Sequence, residues 1–466
     1  MQTALALQPL PPLPAPRQVA WQRAECSLFF HFGVNTFTDR EWGDGTEDPA
    51  IFNPMRLDCR QWAAAAKAGG FRIAILTAKH HDGFCLWPSR FTDHTVANCP
   101  WRNGQGDLVR EFVDAFRDVG LEIGLYLSPW DRHEPSYGNS PRYNRFYINQ
   151  LTELLTQYGP VREVWFDGAC GEGPDGKRQV YDWPAFFAKV TELQPEAVTF
   201  GDGGTDVRWV GNEQGLAGDP CWSMVDSRLA AHPGAAELAQ ATGGEAGSKT
   251  KHSLHHGDED GDVWRPAESD VSIRPGWFYH PSENDKVRSV DNLVELYFQS
   301  VGRNSLLLLN VPPTPEGLLC ETDVQQLAEF RKKLNRLLSK DLAADADVCC
   351  TVQAQTTASE LCDPDPDTYW AAAGPELPVT IELRLPARRR ISVAMLQEPI
   401  AFGQRIAAHR LEGMADGRWR VLAEGTTVGH KRLHRFPAAA LERVRLTITA
   451  ARGPVALSRL ALFGRP

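Results

Sequence analysis

Polar side chains that can do chemistry follow four short apolar segments of this chain, each where a strand would end. Asp167 lies in Trp165-Phe166-Asp167-Gly168, directly after the strand-like run 161–164. His31 follows 27–30, His80 and His81 follow 73–77, and Ser128 follows 123–126. In a (β/α)8 barrel the loops after the strands build the active-site face, so catalytic groups lie at strand ends. We therefore expect the four clusters to converge on one rim.

Length and charge limit the classes of protein to consider. A chain of 466 residues exceeds one ordinary domain, and a barrel of about 250 to 340 residues plus a smaller module is the simplest division. Its 49 Lys and Arg against 59 Asp and Glu give a net charge of −10, so no basic excess favours nucleic acid as a partner. The 14 Trp residues suit stacking on sugars, although Trp also fills cores.

Neither a membrane span nor a signal peptide is predicted from this sequence. No run approaches the roughly 18 to 20 apolar residues of a membrane span. The stretch 1–16 holds five prolines and no positive charge, which does not fit a signal peptide. The compartment stays open, periplasmic or secreted if a signal was trimmed and cytoplasmic otherwise, and so does the oligomeric state.

Neither a metal nor an organic cofactor is indicated by the motifs. The ten cysteines include no Cys-x-x-Cys pair, so a zinc or redox site is not expected. No glycine-rich phosphate loop follows a predicted strand. We predict no metal and no cofactor.

Helical and strand patterns alternate over residues 18–340, after an N-terminal extension at 1–17. Strands are predicted at 27–30, 72–78, 122–127, 161–164, 197–201 and 306–311, and helices at 59–67, 108–119, 144–158, 183–193, 290–301 and 322–338. A long loop is predicted at about 203–289. Six clear strands and two hidden ones favour an α/β fold, a (β/α)8-like barrel, over an open doubly wound sheet.

The pattern changes after a predicted linker at 341–347. Short alternating segments at 379–385, 391–396, 419–422 and 444–448 predict a C-terminal β-sandwich domain over 348–466. The stretch 363–370 resembles the opening of discoidin-like, carbohydrate-binding jelly rolls. A module that braces the barrel and one that binds sugar are both compatible with this pattern.

Four motifs over residues 18–340 resemble the α-L-fucosidases of glycoside hydrolase family 29. They are His31-Phe32-Gly33, Glu41-Trp42-Gly43, Lys79-His80-His81-Asp82-Gly83-Phe84 and Trp165-Phe166-Asp167-Gly168. The resemblance implies that Asp167 is the nucleophile of a retaining mechanism, and that the paired histidines bind fucose hydroxyls. It also places His31, Glu41 and Trp42 near the fucose.

Two later segments, 208–215 and 273–280, resemble the branch of that family specific for α-1,3 and α-1,4 linked fucose on branched, Lewis-type glycans. In that branch the acid/base matches Glu213. Glu268 is the rival, because it precedes Arg274-Pro275-Gly276-Trp277. Tyr126, Arg208 and Trp277 are further candidate sugar contacts, and fucosylated oligosaccharides or glycoconjugates are the expected partners.

The chemistry of glycoside cleavage requires the same residue types. One carboxylate must attack or shield C1 while a second, protonated carboxyl serves the leaving oxygen. Asp167 at a strand end suits the first role, and Glu213 in a loop suits an acid whose pKa changes during the cycle. For retention the two groups should lie about 5 to 5.5 Å apart.

Two other classes remain open from the residues alone. A metal-dependent hydrolase would use His31, His80, His81 and Asp167 as ligands, although adjacent histidines on a strand point apart. A non-catalytic fucose-binding barrel is the other. The segment 249–262, rich in His and Asp, is predicted to be a solvated loop near the aglycone rather than a metal site.

Overall fold

The computed structural model describes residues 7–173, 176–229, 231–234 and 245–464. A closed parallel barrel forms the first part of the chain, and an antiparallel sheet domain follows it. No helix within these ranges combines the length and the apolar character that crossing a membrane requires.

Eight parallel strands close the barrel in the order β1-β10-β9-β6-β5-β4-β3-β2. In chain order the strands up to residue 310 are β1 (Cys26–Phe30), β2 (Ile73–Lys79), β3 (Glu122–Leu127), β4 (Glu163–Trp165), β5 (Val198–Gly201), β6 (Val207–Trp209), β7 (Met224–Val225), β8 (Val263–Trp264), β9 (Ala267–Ser272) and β10 (Ser305–Asn310). The pair β7 and β8 forms a separate antiparallel ladder. The predicted barrel is confirmed.

The strand residues alternate between two apolar cores. Leu306 and Leu308 belong to a cluster inside the barrel, whereas Leu307 and Leu309 pack with the surrounding helices. Side chains of successive strand residues point to opposite faces, and a parallel strand covered on both faces reads as a continuous apolar run. This is why Ser305–Asn310 was recognisable from its sequence.

Helices surround the barrel, mostly at the predicted positions. Their bounds are Pro16–Gln22, Val34–Thr38, Cys59–Gly69, Leu108–Asp118, Ser140–Gln157, Trp183–Leu193, Glu245–His256, Val290–Gln299 and Glu321–Leu338. Short 3-10 turns lie at Pro49–Ile51, Val96–Asn98, Trp101–Gly104, Pro281–Glu283, Ala358–Cys362 and Ile400–Phe402.

The prediction of one long loop at 203–289 is wrong. This segment contains the two hidden barrel strands, β6 and β9, the β7–β8 ladder and the helix Glu245–His256. The predicted solvated loop at 249–262 is therefore helical in its first half. β6 has only three residues, and β9 carries polar residues at alternate positions, so neither presents the apolar run by which a buried strand is recognised.

The C-terminal sheet has six strands, and a two-stranded sheet packs with it. The strands are β11 (Asp347–Cys350), β12 (Trp370–Ala371), β13 (Val379–Gln397), β14 (Ile406–Ala415), β15 (Arg418–Gly425), β16 (Arg432–Ala451), β17 (Ala456–Leu457) and β18 (Arg459–Phe463). The large sheet runs β11-β13-β16-β14-β15 with β18 beside β13, and β12 pairs with β17. Trp370 and Leu457 of the small sheet share one core with Ile381 and Leu446 of the large one, as in a β-sandwich.

The strands predicted at 379–385 and 391–396 are parts of one strand, β13. Its pairing with β16 shifts register between Arg384 and Arg389. A bulge of this kind bends a strand without ending it, and the exposed residues at the bend have the composition of a turn.

The C-terminal domain contacts the barrel through apolar and charged groups. Val393 and Phe463 belong to the same buried cluster as the outer barrel core. Arg432 donates two hydrogen bonds to Asp219, at 2.9 and 2.7 Å. These contacts attach the C-terminal domain to the barrel.

Candidate active site

A pocket with a volume of about 190 Å3 opens at the carboxyl ends of the barrel strands. Eight of the predicted site residues line it: His31, Glu41, Trp42, His80, His81, Asp167, Glu213 and Trp277. They come from segments that are far apart in the chain, and the closed barrel brings them together because parallel strands all end on one face.

Asp167 lies two residues beyond β4 and lines this pocket. Its Oδ1 accepts a hydrogen bond from the backbone N–H of Ala169 at 2.7 Å, and its Oδ2 accepts one from the Tyr126 hydroxyl at 3.0 Å. The side chain is 23% exposed. The carboxylate is therefore held in one orientation by two donors and still reaches the pocket.

His81 has its Nε2 3.8 Å from Asp167 Oδ2. Its Nδ1 lies 2.7 Å from Ser128 Oγ, and this hydroxyl donates its own proton to the carbonyl of Trp130 at 2.7 Å. The hydroxyl oxygen must then accept from Nδ1–H, and this network assigns the proton to Nδ1. The Nε2 lone pair faces the pocket and can accept a hydrogen bond from a sugar hydroxyl.

His31 has the same tautomer for a different reason. The amide of Asn310 donates to Ser272 Oγ at 2.9 Å and to the carbonyl of Trp277 at 2.8 Å. Its Oδ1 accordingly accepts from Nδ1–H of His31 at 2.8 Å. The other nitrogen of His31 is left as a second acceptor in the pocket.

His80 complements these two acceptors. Its Nδ1 lies 3.5 Å from the amide nitrogen of Asn35, an N–H donor, so the ring proton belongs on Nε2. Burial lowers the pKa of His31 to about 4 and the pKa of His80 well below its usual value. Burial also lowers the pKa of His81. Three neutral imidazoles therefore offer one donor and two acceptors, which suits hydroxyl groups of mixed orientation.

Glu213 lies at the exposed mouth of the pocket. Its Oε2 accepts a hydrogen bond from the indole N–H of Trp277 at 3.3 Å. Partial burial raises the pKa of Glu213, and the negative charge of Asp167 raises the pKa further. A carboxyl that keeps its proton to higher pH than an ordinary glutamic acid is suited to general-acid chemistry.

Glu41 ties the loop after β1 to the loop that carries Trp277. Its carboxylate accepts from the backbone N–H of Trp277 at 2.8 Å and of Phe278 at 3.0 Å. His280 bridges Glu41 and Asp39, at 2.7 and 2.6 Å. Although burial lowers the pKa of His280, hydrogen bonds to the two carboxylates outweigh this and leave the pKa raised. The imidazolium thus fixes one wall of the pocket.

Trp42 forms the exposed rim. Its side chain is 54% exposed and meets the rings of His81 and Trp130 edge to face, with centroids 5.3 and 5.5 Å away. An indole that is held by two neighbours and open on the other side can stack on a sugar ring.

Two carboxylates that the sequence analysis did not single out also line the pocket, Asp202 and Asp270. Asp270 is buried and accepts from the indole N–H of Trp209 at 2.8 Å. Burial, and then the charge of Glu213, raise the pKa of Asp270 well above its usual value. Asp270 could have been found in the sequence from the alternation of Glu268, Asp270 and Ser272, which is the pattern of a strand with a polar inner face.

Arg208 does not reach the pocket. Its guanidinium is buried and donates to the carbonyls of Leu254 and Trp222 at 3.0 and 2.8 Å, and to the carbonyl of Arg265. The expected sugar contact is corrected accordingly: Arg208 fastens the segments around β6 to each other. It faces away because it alternates with Trp209, which points inward.

Glu268 also lies away from the pocket lining. It is fully buried inside the barrel, below the pocket, and its Oε1 accepts from the indole N–H of Trp165 at 3.0 Å. Trp165 stands between this carboxyl group and the substrate cavity. A residue that donates a proton to a bound glycan must lie within hydrogen-bond reach of it. The position of Glu268 agrees poorly with this requirement.

Lys79, in the same motif as the paired histidines, forms a buried ion pair. Its ammonium donates to Asp131 Oδ2 at 2.7 Å and to Gln150 Oε1 at 2.9 Å. Burial alone would raise the pKa of Asp131, but the charge of Lys79 and its hydrogen bond bring the pKa below its usual value. This pair holds the end of β2 that presents His80 and His81.

We expect Lys79→Ala to lower the free energy of unfolding by about 3 to 5 kcal/mol, because it leaves Asp131 buried without its counter-ion. Urea unfolding followed by circular dichroism measures the change. Lys332→Ala is the matched control, since Lys332 pairs with Glu329 on the surface and should cost less than about 1 kcal/mol. Equal effects of the two substitutions would contradict the assigned role of the buried pair.

Known proteins resemble this chain over most of its length. Residues 20–336 match the family model for α-L-fucosidase. The chain is 44% identical over 463 residues to α-L-fucosidase 1 of Arabidopsis thaliana, covering 98% of this chain and 88% of the relative.

Solved structures agree with that match. A fucosidase of glycoside hydrolase family 29 from Ruminococcus gnavus, in complex with fucose, is 31% identical, has a TM-score of 0.89 and covers 100% of this chain and 97% of its own. A family 29 member from an unknown rumen bacterium is 38% identical, with a TM-score of 0.84 and coverage of 98% and 78%.

Proposed function

Because the chain belongs to the α-L-fucosidase family and is a glycoside hydrolase, we propose that it removes fucose with retention, using Asp167 as nucleophile and Glu213 as acid/base. The observation that carries this assignment is the oriented carboxylate of Asp167 in the pocket lining, together with the raised pKa of Glu213 in the same pocket. Family membership over most of the chain favours the fucosidase over the two alternative hypotheses, a metal-dependent hydrolase and a non-catalytic binding protein.

In the proposed first step, one carboxylate oxygen of Asp167 bonds to C1 of the fucose while Glu213 delivers its proton to the glycosidic oxygen. The C1–O bond breaks, and the rest of the glycan leaves as an alcohol. In the second step the ionised Glu213 takes a proton from water, the water oxygen bonds to C1, and Asp167 is released. The Tyr126 hydroxyl stabilises Asp167 as a leaving carboxylate because it donates to Oδ2.

Recognition of the fucose follows from the histidines. His31 and His81 accept hydrogen bonds through Nε2, and His80 donates through Nε2. A site built to pair with specific hydroxyls rejects analogues that lack them, since its buried polar groups are then unpaired. Trp42, Glu41 and Trp277 complete the wall of the pocket.

The finer proposal concerns the linkage. Glu213 lies in a loop after β6 and is tied to Trp277, a residue of the loop after β9, by one hydrogen bond of 3.3 Å. A branched aglycone that touches both loops supplies remote binding energy that assembles the acid over the scissile bond. The resemblance of 208–215 and 273–280 to the α-1,3/1,4 branch supports the same substrates, Lewis-type glycans.

We expect Lewis-type trisaccharides to be cleaved at least about tenfold faster in kcat/KM than α-1,2-fucosyl-lactose, a difference that requires about 1.4 kcal/mol of transition-state binding. Fucose release from a panel of oligosaccharides that differ only in linkage and branching measures it. An aryl α-L-fucoside serves as the control for intact chemistry. Equal rates on both linkages, or a preference for α-1,2, would contradict the linkage proposal without affecting the fucosidase assignment.

A further inference from the structure

Two glutamates that the proposed mechanism does not use lie inside the barrel, beneath the pocket. Glu163 is on β4 and Glu268 is on β9, with β5 and β6 between them in the barrel order. Both side chains are fully buried. Acidic side chains are almost never fully buried unless they are paired, so these two require a partner.

Each carboxyl group accepts one indole hydrogen bond. Trp21 donates to Glu163 Oε2 at 2.8 Å, and Trp165 donates to Glu268 Oε1 at 3.0 Å. The two remaining oxygens, Oε1 of Glu163 and Oε2 of Glu268, have no donor among the described residues. Trp165, which donates to Glu268, is two residues beyond Glu163 on the same face of β4, so the two carboxyl groups are neighbours inside the barrel and each shifts the pKa of the other.

The surroundings exclude two negative charges here. The barrel interior is formed by apolar side chains, among them Phe29, Ile75, Val198 and Leu308. No ion pair joins either glutamate to a basic side chain in the described part of the chain. Tyr126 on β3 packs in the same interior cluster, and the charge of Asp270 on β9 acts on Glu268, but neither group is cationic. Two adjacent carboxylates in an apolar site cannot both ionise cheaply, and one proton between them relieves the repulsion.

We propose that Glu163 and Glu268 share one proton, and that this proton-linked pair is a positioning device for Trp165, the floor of the sugar pocket. The proton lies between Oε1 of Glu163 and Oε2 of Glu268. Because the pair keeps one negative charge, Oε1 of Glu268 remains a strong acceptor for the indole N–H of Trp165. Trp165 in turn stacks on Phe200, with ring centroids 4.0 Å apart and an interplanar angle of 9°.

The pair connects β4 and β9, two of the strands that carry acids into the pocket. Trp165 is two residues before Asp167 on the β4 side, and Asp270 is two residues after Glu268 on β9. A cross-barrel link between these strands therefore sets the spacing of the pocket floor. Glu268 then acts through Trp165 on the bound sugar and is a positioning residue rather than the acid/base.

The shared proton makes the stability of the folded protein depend on pH. Burial, and for Glu268 also the charge of Glu163, raise the pKa of both groups; the titration belongs to the pair rather than to either residue. A carboxyl whose pKa is raised in the folded state stabilises the protein fully below the pKa of the unfolded chain. This contribution is lost as the pH rises toward the folded pKa.

The test compares Glu268→Gln, Glu163→Gln and the unaltered protein by thermal unfolding from pH 5 to pH 8.5. A glutamine amide can donate a permanent hydrogen to the remaining carboxylate, so it replaces the shared proton. As the pH rises, we expect the unfolding temperature of the unaltered protein to fall by about 2 °C per pH unit more than that of either variant. Infrared difference spectra between the unaltered protein and each variant at pH 6 should show the protonated carboxyl band of the pair, since any band of Asp270 cancels in the difference.

Glu153→Gln is the matched control. Glu153 is also buried and accepts an indole N–H, from Trp87 at 2.9 Å, but its other oxygen contacts are hydrogen bonds accepted from Ser89 and Arg90. This substitution should leave the pH dependence of the unfolding temperature unchanged.

Kinetics separate positioning from direct catalysis, and only this part of the test depends on the proposed function. Glu268→Gln should keep kcat/KM on an aryl fucoside within about tenfold at neutral pH, whereas Glu268→Ala, which leaves the Trp165 N–H unpaired, should lose more and mainly through KM. An unchanged pH dependence of unfolding in both glutamine variants would overturn the shared proton. A stable Glu268→Gln variant that cleaved natural glycans far more slowly than aryl fucosides with acidic phenols would show the loss of a general acid. This result would overturn the positioning role and make Glu268 the acid/base.

Discussion

Asp167→Ala is expected to lower kcat on an aryl α-L-fucoside by at least about 10⁴-fold while the protein stays folded, because the covalent path is lost rather than a packing contact. The carboxylate is held by Tyr126 and the Ala169 N–H and contributes little to the core. Steady-state kinetics with circular dichroism measures both quantities. Added azide should restore part of the activity, since a small anion fits the space that the carboxylate leaves.

Asp202→Ala provides the comparison for Asp167. Asp202 lines the same pocket, but its Oδ1 accepts from the backbone N–H of Gly234 at 2.7 Å, and no catalytic role is proposed for it. Its loss should be far smaller and insensitive to azide. If Asp167→Ala kept a tenth of the activity, or if Asp202→Ala were the azide-rescued variant, the nucleophile would have to be reassigned.

Glu213→Gln is expected to slow natural glycans by about 10² to 10⁴-fold and to affect aryl fucosides with acidic phenols much less, because only poor leaving groups need a proton in the first step. The pKa of Glu213 is raised by partial burial and by Asp167. The alkaline limb of the kcat/KM profile, where Glu213 loses its proton, should therefore lie above the ordinary range of a glutamic acid. It should disappear in the variant.

Trp277→Phe separates the acid itself from its support. This substitution removes the indole N–H that Glu213 accepts and keeps an aromatic ring. Because that hydrogen bond stabilises the ionised carboxyl, its loss should move the alkaline limb to higher pH and leave a bell-shaped profile. A Glu213→Gln enzyme that retained both limbs would rule out Glu213 as the acid/base.

Much of the barrel and part of the site could be predicted from short segments. Strands such as β1, β2 and β10 are recognisable because parallel strands covered on both faces form nearly continuous apolar runs. Asp167, His31, His80 and His81 follow such strands directly, so their placement on one rim required only the closure of the barrel. The helices were visible from their period and their caps, as at Asp107, which accepts from the N–H of Arg110.

The strands β6 and β9 escaped prediction for a physical reason. Their inner faces carry Trp209, Glu268 and Asp270, residues that serve the pocket and its support. A strand that contributes polar groups to a barrel interior loses the apolar run that would reveal it. The polar segment was therefore assigned to a loop, and Asp270 was missed with it.

The sequence by itself determined which residues stand at strand ends and which family motifs they form, because both depend on neighbours within a few positions. Only the tertiary structure decided which acids face the substrate. From the chain alone, Glu213 is the assigned acid/base by resemblance and Glu268 remains its rival, yet one lies at the pocket mouth beside Trp277 and the other is sealed below Trp165. The inward or outward direction of a side chain, its burial and its hydrogen-bond partners arise from contacts between residues that are far apart in the chain, such as Tyr126 with Asp167, 41 positions apart, and His31 with Asn310, 279 positions apart. Protonation and orientation depend on those contacts, and local sequence does not contain them.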